Sequence, residues 1–187
     1  MGAQNDDTTT ATTSLRLLNR YFRERPTTGA DGHSYVSSAP RATTTSPGLP
    51  YNATVTELVD ASVREVADHT RTVNPDAGPL PGRVEAVYDW YREHTHHADD
   101  TQRQRGETIL YRQYLEHAIA MGDTAVIRPH RCPACNTMGL FWRDELQRVL
   151  CTNRRCLTKA GMSRTWSLAR LAYEHVTSEK SLHVRAT

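Results

Sequence analysis

Between residues 54 and 73 Val55, Leu58, Val59, Val63 and Val66 form an apolar stripe, with Ser62 among them. That i, i+3, i+4 spacing is one face of a helix. Thr54 with Glu57 forms a capping-box pattern at its start, and Asn74-Pro75 predicts its end. After Pro79-Leu80-Pro81-Gly82, Val84, Val87, Tyr88 and Tyr91 mark the buried face of a second helix. Asp99, Asp100 and Thr101 are cap candidates for a third, which carries Tyr111, Tyr114, Leu115 and Ala118 inward and ends at Gly122, where a positive φ is expected. Short connections make these three helices a small bundle. Upstream, Leu15, Leu18 and Phe22 form a brief amphipathic stripe closed by Pro26. It is too short to hold as an isolated helix, so it either folds back on the body or serves a partner.

The period changes after residue 136. Thr137 to Leu150 sets aromatic and branched residues on either side of the polar centre Arg143-Asp144-Glu145, the pattern of a β-hairpin. Ala125-Val126-Ile127 is a candidate third strand. Ser167 to Leu182 is apolar at helical spacing and faintly resembles two helices of a helix-turn-helix, with its turn at Tyr173–Val176 but without the expected Gly.

Two cysteine pairs bracket the hairpin: Cys132-Pro-Ala-Cys135, fifteen residues, then Cys151-Thr-Asn-Arg-Arg-Cys156. Four thiolates complete a tetrahedral zinc shell, and each short loop delivers two of them. Pro133 presets the first turn and Asn136 tolerates the left-handed exit it needs. Two disulfides, an iron site or a redox Cys-x-x-Cys are the competing readings. The hairpin and the second pair favour one structural zinc ion on Cys132, Cys135, Cys151 and Cys156. His94 and His97, at i, i+3 beside Asp99 and Asp100, suggest a second metal site, although histidines at a charged helix end are usually solvated.

On these residues the segment 125–160 resembles the zinc-ribbon superfamily, with the second loop widened from the usual Cys-x2-Cys. The C-terminal arrangement, a Gly then Arg164-Thr165-Trp166-Ser167-Leu168 and a helix, is also similar to small zinc-ribbon proteins of actinobacteria and their phages. Twenty-one arginines against two lysines, Lys159 and Lys180, agree with a GC-rich origin of that kind. The resemblance implies a ribbon fold with a structural metal and brings no activity with it.

Composition completes the picture. A hydrophobic share of 37% and a mean hydropathy of −0.65 are low for a chain of 187 residues folded throughout. Residues 1–50, rich in Thr, Ser, Pro and Gly, are the expected disordered tail, with a short helix near 14–25. The chain is therefore expected to be α+β: that tail, an acidic three-helix bundle over 51–124, and a basic four-cysteine zinc ribbon with a C-terminal helix over 125–187. Residues 1–124 hold 12 basic and 17 acidic side chains, a net of −5, and residues 125–187 hold 11 and 4, a net of +7. Arg143, Arg148, Arg154, Arg155 and Arg164, interleaved with Phe141, Trp142 and Trp166, suit phosphate and base contacts, so nucleic acid, DNA first, is the expected partner. One of the two tryptophans is expected to be buried.

The alternative is a protein-interaction or scaffolding module, its arginines meeting an acidic surface such as residues 51–124. No stretch approaches the ~20 apolar residues of a membrane span, no secretory leader is evident, and the cysteine usage suits a cytoplasmic protein. Gly-rich phosphate loops and Gly-x-Ser-x-Gly are missing, no small-molecule site is evident, and a closed shell of four thiolates leaves no position for a reactive water. The expectation is a binding protein and not an enzyme.

Overall fold

A computed structural model describes residues 12, 13, 15–18 and 53–185, with side chains from 55 to 179 in the main body. The fold is α+β. Helix α1 spans Ala53–Val73, α2 Val87–His94, α3 Asp100–Ala120 and α4 Leu168–Arg185, and strands β1 Leu140–Arg143, β2 Arg148–Cys151 and β3 Thr165–Trp166 form one antiparallel sheet in that order. No helix among the described residues is long and apolar enough to cross a membrane.

The helix boundaries follow local chemistry. Asp99 accepts from the Gln102 amide at 2.8 Å, and Gln102 returns a side-chain oxygen to the Asp99 amide at 3.1 Å, closing a capping box on α3. Gly122, at φ +89°, follows the end of α3 as its position predicts. Helix α1 ends before Asn74, whose side-chain amide donates to the terminal His94 carbonyl of α2 at 3.1 Å. Thr54 is not the cap the pattern suggests, because the helix already runs at Ala53. The second helix starts later than Gly82, through a 3-10 turn at Val84–Ala86.

Two apolar cores result. The first joins Leu15, Leu18, Val55, Val59, Val66, Val87, Tyr88, Tyr91 and Leu110. Residues 12, 13 and 15–18 are helical, and Leu15 and Leu18 are fully buried, so the N-terminal stripe folds back on the body. Phe22 and the rest of the expected disordered tail lie outside the described residues. The second core joins Leu115, Ile127, Leu140, Val149, Leu168 and Leu171 to Cys132, Cys151 and Cys156. Leu110 and Leu115 stand five residues apart on α3, on different faces, and so α3 serves both cores. The inward stripe of the third helix is thereby corrected: Tyr111, Tyr114 and Leu115 face the second core, and what faces α1 is Leu110, Gln113 and His117.

A polar seam runs between α1, α2 and α3. Buried Gln113 donates to the Ser62 carbonyl at 3.1 Å and to Glu65 at 2.8 Å, and accepts from the Tyr88 hydroxyl at 2.8 Å. Arg112 pairs with Glu65 and, at 2.8 Å, with Glu116. His117 Nε2 lies 2.9 Å from Ser62 Oγ, and that hydroxyl donates to the Leu58 carbonyl, so the ring donates to it. Burial pushes the Tyr88 pKa above its usual range and the His117 pKa down to about 4.

Candidate metal centre

The hairpin carries the second cysteine pair to the first. Strands β1 and β2 pair with Leu140 opposite Cys151, Phe141 opposite Leu150, Trp142 opposite Val149 and Arg143 opposite Arg148. The reversal at Asp144–Leu146 is closed by Gln147 at φ +50°. At the other end Gly139, at φ +117°, gives its carbonyl to the Thr152 amide at 2.9 Å and to the Thr152 hydroxyl at 2.8 Å. A Cβ there would meet Thr152 Oγ1 at 2.5 Å, so only glycine fits. Two turns face each other across this end. In the first the Asn136 amide donates to the Cys132 carbonyl at 2.8 Å, and Asn136 takes φ +56° as expected. In the second the Cys156 amide donates to the Asn153 carbonyl at 2.8 Å, and Asn153 Oδ1 accepts from the Arg155 amide at 3.0 Å.

All four Sγ atoms lie within 4.8 Å of one another, with Cys132 to Cys156 at 3.8 Å and Cys135 to Cys151 at 3.7 Å. A tetrahedron with metal–sulfur bonds of ~2.3 Å has sulfur–sulfur edges of ~3.8 Å. The four thiols are free, and their separations are far beyond the ~2.05 Å of a disulfide. The chain after Cys135 enters a strand, so the helix N-terminus that activates a redox Cys-x-x-Cys is not there. This group of four cysteines could hold a metal ion.

The electrostatics of the thiols agree. Thr137 Oγ1 lies 3.0 Å from Cys135 Sγ, and its hydroxyl and amide hold that thiol down at about 6. Burial pushes Cys151 up and Cys156 up to about 12, and neighbouring sulfurs add to the rise at Cys156. Packed thiols resist losing protons together; a bound cation removes that resistance.

Among the described residues this is the one group of three or more His, Cys, Asp and Glu side chains arranged for a metal. His94 Nδ1 sits 2.8 Å from the Trp90 carbonyl, with its ring tilted against the Trp90 ring, whereas His97 is exposed against His96. The second metal site is therefore not formed, because His94 is turned back onto its own helix. Three further expectations are corrected. Ala125–Ile127 lies in a 3-10 turn, begun by Asp123 Oδ1 accepting from the Ala125 amide at 3.0 Å, and the third strand is Thr165–Trp166. Helix α4 runs unbroken through Tyr173–Val176, since Leu168, Leu171, Ala172 and Val176 form one continuous buried stripe, so this segment is one helix and not a helix-turn-helix. Neither tryptophan is fully buried. Trp142 and Trp166 flank the buried Val149 as half-covered walls, and Trp142 Nε1 donates to Asp144 at 2.6 Å.

The five arginines separate into two groups. Arg143 and Arg148 sit directly opposite at the hairpin-turn end, with Arg143 paired to Glu145 at 3.4 Å. Arg154, Arg155 and Arg164 lie exposed in the cysteine-bearing stretch, where Arg131 and Lys159 are exposed as well. Between Thr124 and Tyr173 the only acidic residues are Asp144 and Glu145, at the opposite end. None of the five arginines forms an ion pair with the helical half among the described residues. Met138, Leu157 and Met162 are exposed on the same metal-bearing stretch. No family model, curated protein or solved structure matches this chain.

Proposed function

We propose that this protein is a nucleic-acid-binding module built on a zinc ribbon, with one structural Zn2+ held by Cys132, Cys135, Cys151 and Cys156. The observation that carries the reading is the metal end itself. Five exposed cations, Arg131, Arg154, Arg155, Lys159 and Arg164, lie in this stretch, and none of them forms an ion pair among the described residues. A divalent ion with four thiolates carries two negative charges, which offset only part of that excess. Zinc suits a closed shell of four soft ligands and adds no redox chemistry. The three-stranded sheet with its two cysteine turns at one end supports the resemblance to zinc ribbons.

Phosphate binding by such a surface releases counterions, so affinity falls steeply with salt. Changing Arg154 and Arg155 together to Ala should weaken binding to every sequence alike and flatten the salt slope by about two units, roughly one per phosphate contact, with zinc retained. Titration of labelled DNA and RNA at several salt concentrations reads this. An intact, zinc-loaded protein without affinity for either at low salt would overturn the reading. The exposed Met138, Leu157 and Met162 favour a second reading, a protein partner recognised at the same end, and that outcome would then stand.

A further inference from the structure

The register of the sheet gives its two faces different jobs. Leu140, Trp142, Val149, Cys151 and Trp166 share the face turned to the second core. Phe141, Arg143, Arg148, Leu150 and Thr165 share the other. Phe141 and Leu150 stand directly opposite, both half-exposed, and neither belongs to a core. A half-exposed phenylalanine alone is ordinary. Here it is set on a sheet beside two arginines, also directly opposite each other, an arrangement of like charges that destabilises a hairpin. Glu145 answers one of them at 3.4 Å, whereas Asp144 is turned to the Trp142 indole and Arg148 has no ion pair among the described residues. The Arg143 guanidinium lies over the Phe141 ring, 5.9 Å from its centroid, an exposed contact that a stacked group of similar polarity can replace.

We infer that this face is a stacking platform for unpaired bases, and that the ligand of the ribbon is single-stranded nucleic acid running from Phe141 and Leu150 toward the metal-end cations. The inference rests on the nucleic-acid reading above and adds the strandedness of the ligand. A ring on an open sheet face can reach the face of a base only when that base is unstacked, which a duplex prevents. Arg143 and Arg148 then meet the backbone of the same strand, and an anion between them relieves their repulsion. Beyond Phe141 and Leu150 the next facing pair is Gly139 and Thr152, joined by the Thr152 amide donating to the Gly139 carbonyl, and Arg154 and Arg155 follow Thr152 in the chain. Stacking and phosphate contact both ignore the sugar, so DNA and RNA strands are bound alike.

The test is anisotropy of labelled single strands of DNA and RNA and of the matching DNA duplex on the zinc-loaded full chain. Phe141→Leu keeps an apolar residue on the strand and removes the ring. It should weaken single-strand binding roughly 5- to 100-fold and leave duplex binding and zinc content unchanged. Phe141→Tyr should bind single strands at the wild-type level; if Phe141→Leu loses zinc, this variant decides, and weakened single-strand binding in it overturns the platform. Unchanged single-strand affinity in Phe141→Leu, with Arg154/Arg155→Ala still losing salt slope, overturns the platform and leaves the nucleic-acid reading standing. A tenfold preference for the duplex, or for one sugar, also overturns it. No binding to any of the three ends both.

Discussion

The core around Val59, Tyr88 and Leu110 is closed by side chains of helices, whereas the core around Leu140, Val149 and Leu171 is closed by three of the four cysteines. In the helical half, burial of apolar surface is enough to hold long elements, and a hydrogen-bonded seam of Gln113, His117, Ser62 and Tyr88 fits between them. The cysteine-bearing half has strands of four, four and two residues. Sheets that small bury too little to hold themselves, and a metal held by the four cysteines at one end would substitute for the missing core. The lesson is that one chain closes one core with helix side chains alone and the other with cysteines that could hold a metal, with α3 contributing Leu110 to the first and Leu115 to the second.

The largest test of that division is metal removal. Chelation under reducing conditions should unfold residues 128–166 while α1 and α2 keep their helix, because a structural zinc site supplies on the order of 10 kcal/mol of folding energy. Amide exchange reads both halves at once. Protection lost equally from both would break the comparison.

Paired truncations on α3 sharpen it. Leu110→Ala and Leu115→Ala each remove a buried side chain and should cost about 2–5 kcal/mol. Only Leu115→Ala opens the core that the cysteines share, so only it should speed transfer of the metal to a coloured chelator. Equal transfer rates would show that α3 does not separate the two halves.

The smallest effect expected is the acid response of the helical half. Burial first, and the charge of Arg112 second, lower the His117 pKa from 6.5 to about 4. In that window the unfolded chain takes up a proton that the folded chain refuses. The contribution is full above pH 6.5 and is lost as pH falls to about 4, amounting to about 3 kcal/mol. His69 and His130 are lowered by burial and act in the same direction. Glu116, raised by burial, acts in the opposite one, its contribution being lost as pH rises. Denaturant midpoints between pH 6.5 and 4 should fall less steeply in His117→Gln than in the wild type, and parallel slopes would contradict the assignment.

Much of the candidate site was legible along the chain. The cluster of four cysteines follows from two pairs bracketing a hairpin pattern, and Asn136 and Gly122 take the positive φ that their positions predict. The polar seam was not legible, since Gln113 and His117 on a helix read as solvated residues. Its one signal was Ser62 inside an apolar stripe: a hydroxyl on a buried face needs a partner. The outer platform was also missed, because Phe141 and Trp142 are indistinguishable in composition and differ only in which face of the sheet they occupy.

By itself the sequence determined the periods, the helix cap at Asp99, the hairpin and the two cysteine pairs, each of which depends on residues within one turn or one hairpin of each other. Tertiary structure alone decided that Tyr111 and Leu115 face the second core, that Ala125–Ile127 gives up the third strand to Thr165–Trp166, and that five arginines divide between two ends of the sheet. Those outcomes depend on which surfaces meet. Apolar burial has no direction, so a stripe records that a face is covered without recording what covers it.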